Sequence, residues 1–75
     1  MPKRPEIHDL EIVELPSSDT MSQFNVYYNE RLVCTFLETD YVINPFVLIL
    51  DGASRKFQTE DELFEQICNA AAKVR

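Results

Sequence analysis

Apolar and polar positions alternate through much of this chain. Phe24, Val26 and Tyr28 alternate with Gln23, Asn25 and Tyr27; further on, Leu32, Cys34 and Phe36 alternate with Val33, Thr35 and Leu37. A period of two marks strands, so residues 23–37 read as a hairpin. Two registers compete. A two-residue loop of Asn29 and Glu30 pairs Tyr28 with Arg31 and mixes apolar with polar partners. A three-residue loop pairs Tyr28 with Leu32, Val26 with Cys34 and Phe24 with Phe36. The second gathers the strongest apolar residues on one face and is the expected register. The other face then carries Gln23, Asn25, Tyr27, Val33, Thr35 and Leu37, which is mixed rather than polar.

Residues 7–15 read as an earlier strand, with Leu10 and Ile12 on one face and Asp9 and Glu11 on the other. Tyr41, Val42 and Ile43 are expected to begin another. Pro45 then marks an edge or a break, because it cannot donate to a ladder. The unbroken run Phe46, Val47, Leu48, Ile49, Leu50 fits a strand covered on both sides. Asp51-Gly52 is a turn signal, and Arg55, Lys56 and Phe57 could return as a short strand.

The period changes after Thr59. Leu63, Ile67, Ala70, Ala71 and Val74 recur at helical spacing. Thr59 with Glu62 forms a capping box, and Glu60, Asp61 and Glu62 put negative charge in the first turn. Lys73 and Arg75 are expected in the last turn. The predicted fold is therefore α+β: a small antiparallel sheet of about four strands, built from β-hairpins, with one C-terminal helix packed on one face. Residues 1–5, with two prolines and two bases, read as a loose N-terminal tail, and residues 6–75 as a single domain.

Charge sharpens the functional expectation. The 75 residues hold 13 acids and 7 Lys or Arg, a net charge of −6. Between residues 6 and 40 there are eight acids and one base, Arg31; between 51 and 75 the balance is five to four. Such a surface repels a phosphate backbone, which needs Lys and Arg to displace counterions. It attracts a basic surface instead, although a solvated acidic face would have the same composition. No stretch approaches the length of a membrane span, and the N-terminus lacks the apolar core of a signal peptide. A cytoplasmic location is expected, with Cys34 and Cys68 as free, buried thiols.

Candidate chemistry is thin. His8 is the only histidine and Gly52 the only glycine. No nucleophile motif frames a serine, no Gly-rich loop could cradle phosphate, and a zinc site would lack ligands. No enzyme activity, metal or cofactor is expected.

The sequence points to a small acidic interaction protein or inhibitor that binds a basic surface of a partner protein, for example one that handles nucleic acid. In size and charge, though not in any motif, it compares with the small acidic anti-defence proteins of phages and mobile elements. The candidate partner-binding residues are Glu11, Glu14, Asp19, Tyr27, Glu30, Val33, Leu37, Glu38, Asp40 and Tyr41. The alternative is a structural or accessory homodimer paired through the open sheet face.

Overall fold

The computed structural model describes residues 4–16 and 18–73. A short 3₁₀ turn (Ile7–Asp9) leads into five strands, β1 (Glu11–Leu15), β2 (Met21–Tyr28), β3 (Arg31–Thr39), β4 (Phe46–Leu50) and β5 (Ala53–Phe57), followed by helix α1 (Glu60–Ala71). The strands form one antiparallel sheet in the order β1-β2-β3-β4-β5, so each strand pairs with its neighbour in sequence. This is the expected α+β arrangement with one strand more than the four anticipated.

The first expected strand begins too early. Residues 7–9 coil because Asp9 closes a local ring: its side chain accepts from the Glu6 amide at 2.9 Å, and its own amide donates to the Glu6 carbonyl at 2.9 Å. The coil sets Ile7 and Leu10 one turn apart, and both pack against the core. The structure also fixes part of the expected tail. Pro5 is buried, and Arg4 donates to Glu65 and Asn69 on α1, each at 2.8 Å. Residues 1–3 lie outside the described residues.

The β2–β3 hairpin combines the two registers that competed in the sequence. Its loop is the two-residue one, with Tyr28 opposite Arg31, and both Asn29 (φ 52°) and Glu30 (φ 66°) are left-handed. That is the geometry that matches the twist of a hairpin. A bulge at Val33 then inserts one residue, so Val26 faces Cys34 and Phe24 faces Phe36 as expected. A bulge thus reconciles the tight loop with the apolar pairing. Left-handed geometry costs a non-glycine residue about 1–2 kcal/mol. Glu30→Gly is expected to raise unfolding stability by about 0.5–1 kcal/mol once the extra freedom of the unfolded glycine is offset, measured as a higher urea midpoint with an unchanged slope.

Helix α1 covers one sheet face. Thr59 caps it, accepting from the Glu62 amide at 3.3 Å. Leu63, Ile67, Ala70 and Ala71 are buried against Val26, Phe36, Leu48 and Phe57. Phe36 stacks on Phe24 at 4.8 Å and meets Phe64 edge-on at 6.4 Å, tying sheet to helix. The helix ends at Ala71, so Lys73 lies just past the last turn, and Val74 and Arg75 fall outside the described residues. No helix among the described residues is long and apolar enough to cross a membrane.

Candidate functional site

A meander sends alternate connections to the same end of the sheet. The β1–β2 turn and the β3–β4 loop therefore lie at one end, and β5 delivers the start of α1 there as well. This topology gathers acids that are scattered in sequence. Glu14 lies next to the end of β1, Asp19 sits in the turn, Glu38 and Asp40 flank the end of β3, and Glu60, Asp61 and Glu62 open the helix. Burial pushes the Glu38 carboxyl above the usual carboxylate range, and the neighbouring charges of Glu60 and Glu14 add to it.

The sign of that shift makes a prediction. A carboxyl with a raised folded pKa binds protons more tightly when folded, so its contribution to stability falls as pH rises from the ordinary value through the raised one. Glu38→Gln is therefore expected to stabilise the chain at pH 7 and to flatten the decline in urea midpoint above the ordinary carboxylate pKa.

The apolar residues at this end are the least expected feature. Tyr41, Val42 and Ile43 do not begin a strand; they form the outer part of the β3–β4 loop, 72%, 87% and 76% exposed. Five hydrogen bonds hold the loop. Thr39 closes it through its amide and its hydroxyl, both donating to the Pro45 carbonyl at 2.9 Å, and that hydroxyl also accepts from the Tyr41 amide at 3.3 Å. Gln58 grips the far side. Its carbonyl oxygen accepts from the Asn44 amide at 2.9 Å, and its amide donates to the Val42 carbonyl at 3.0 Å. Asn44 takes a left-handed φ of 52° that turns the chain back toward Pro45. Beside the loop, Ser18, Thr20, Met21, Thr39, Asp40 and Tyr41 line a groove of about 450 Å³.

The sequence-derived residues thus divide. Glu14, Asp19, Glu38, Asp40 and Tyr41 come together at this end. Glu11 and Glu30 lie toward the other end, at the start of β1 and in the β2–β3 turn. Tyr27 and Leu37 lie on the sheet face away from α1, as expected. Val33 does not: only 6% exposed, it belongs to the core cluster, because the bulge it occupies is packed over, and it offers no surface to a partner. Val42, Ile43 and Gln58 were missed. An apolar triplet between Asp40 and the Asn44-Pro45 breaker was the available signal.

The remaining reactive groups are not assembled into a site. His8 is exposed, with Asp9 at 3.5 Å. Both cysteines are free and buried, and burial raises both thiols, Cys34 to about 11. No group of His, Cys, Asp or Glu among the described residues could hold a metal ion. Compared with known proteins, the chain matches no family model, no curated protein and no solved structure.

Proposed function

We propose that this chain is a non-catalytic binding protein, an acidic interaction protein or inhibitor acting in the cytoplasm. It docks the β3–β4 loop onto a partner protein whose surface is basic around an apolar depression. A protein surface that normally grips nucleic acid has that charge. The observation that carries the reading is the fixed, outward display of Tyr41, Val42 and Ile43. Three adjacent large apolar side chains in water are costly for a monomer. A loop already ordered by hydrogen bonds gives up little entropy on binding. An apolar centre with a charged rim, including a tyrosine, is the composition of an energetic hot spot.

The acids explain the sign of the partner. Asp19, Asp40, Glu38 and the first turn of α1 lie at the same end of the sheet as the triplet, while Arg31 lies at the opposite hairpin, Arg4 is bound to Glu65, and Lys56 near the end of β5 is the one exposed strand base at this end. Such a field speeds encounter with a basic surface and repels nucleic acid itself. The test is retention of a partner by the immobilised chain as salt rises from about 0.1 M to about 1 M, which shortens the screening length from roughly 10 Å to roughly 3 Å. Retention should fall steeply, and Asp19→Asn with Asp40→Asn should weaken it at low salt. Retention indifferent to salt and to those changes would refute the charge-led part of the reading.

A further inference from the structure

The sheet face away from α1 has a charge pattern unlike the rest of the molecule. Val13, Leu37, Val47 and Ile49 lie across it in two adjacent rows, fixed by the pairings Leu37 with Val47 and Thr35 with Ile49. In a chain of net charge −6, register sends only two charged residues of the strands to this face: Glu11 on edge strand β1 and Lys56 on edge strand β5. Both are exposed, and they occupy diagonal corners. The strand residues on this face therefore sum to zero charge, with one charge of each sign at opposite extremes.

We infer that this face pairs with the same face of a second copy of the chain. A two-fold axis that lies between two facing sheets and runs perpendicular to the Glu11–Lys56 diagonal exchanges these two corners, with the strands of the two copies crossing. It sets Glu11 of each copy against Lys56 of the other, so one contact is made twice. A strongly charged partner finds no matching field here, whereas a second copy does. The middle of the face tolerates covering because its polar groups are already bonded to each other. Thr35 donates to Asn25 at 2.9 Å, and Asn25 donates to the Tyr27 hydroxyl at 3.4 Å. Covering them leaves those bonds intact, and an unmade buried bond is the costly outcome.

Five strands by about five residues give roughly 400 Å² in projection, below the roughly 800 Å² per partner of a standard interface. The pairing is weak and concentration-dependent. It uses residues other than the β3–β4 loop, which stays free at the end of the sheet.

Sedimentation equilibrium of the full chain, up to about 1 mM, tests it. A monomer–dimer equilibrium is expected. Ile49→Lys should raise the dissociation constant at least about 100-fold, because a two-fold interface meets the change twice. Glu11→Lys and Lys56→Glu alone should each raise it roughly tenfold, and the double variant should restore it. These two exposed edge positions do not touch the core, so the swap remains readable even if Ile49→Lys fails to fold. A wild-type chain that stays monomeric throughout, a dimer that survives Ile49→Lys in a folded chain, or a double swap that fails to restore pairing overturns the inference.

Discussion

Val42→Asp combined with Ile43→Asp is expected to abolish partner retention while leaving the fold at its original stability. The two side chains are the most exposed large apolar groups among the described residues. They contribute almost nothing to the core, and surface changes of this kind shift stability by about 0.5 kcal/mol or less. In a bound complex they would lie at the apolar centre, where truncating a hot-spot residue costs about 2 kcal/mol or more. Placing two carboxylates there adds desolvation, so the pair should lower affinity by at least about 1,000-fold. Urea melts of the variant and the parent should overlay while retention is lost. Leu32→Asp, 56% exposed on another part of the sheet, should leave retention unchanged. A loop variant that still holds the partner would remove the triplet from the proposed contact.

The second large effect is on folding. Phe36→Ala is expected to leave the chain unfolded at 25 °C. Phe36 is buried where β3 meets both its sheet neighbour Phe24 and the helix residue Phe64. Truncating such a phenylalanine costs about 3–5 kcal/mol. A core in a chain of this length supplies about 3–5 kcal/mol in all, so the change removes nearly the whole margin. Far-ultraviolet circular dichroism should show loss of both helix and sheet. Phe36→Leu, which keeps most of the volume, should remain folded with a lower urea midpoint. A folded Phe36→Ala chain would mean that stability resides elsewhere than in this three-ring contact.

Much of the fold was legible because local chemistry and burial agree. Thr59 and Glu62 mark the helix start, Asp51-Gly52 marks the last hairpin, and the facing of Phe24 and Val26 with Phe36 and Cys34 follows from gathering apolar residues on one side. The Val33 bulge was not legible. A two-residue loop without glycine looks unfavourable by itself, and only the twist of the paired strands makes left-handed Asn29 and Glu30 acceptable. Tyr41, Val42 and Ile43 favour strands by propensity. What holds them in a loop is Gln58, 14 and 16 residues from the atoms it binds, beyond the reach of any local pattern. The acidic end was half visible for the same reason. The acids could be counted, but which of them share an end depends on the number of strands between them.

The order in which the sheet is woven bears on how the chain acquires its structure. Each strand finds its neighbour in the segment just made, so short loops close first and no early strand waits for a distant one. The sheet can zip from one edge to the other. Shielding follows the sheet, because α1 comes after β5 in the chain, and until its twelve residues dock, Val26, Phe36 and Leu48 face solvent. The hazardous interval therefore lies between completion of the sheet and docking of α1, when a sheet with a bare apolar face is open to aggregation.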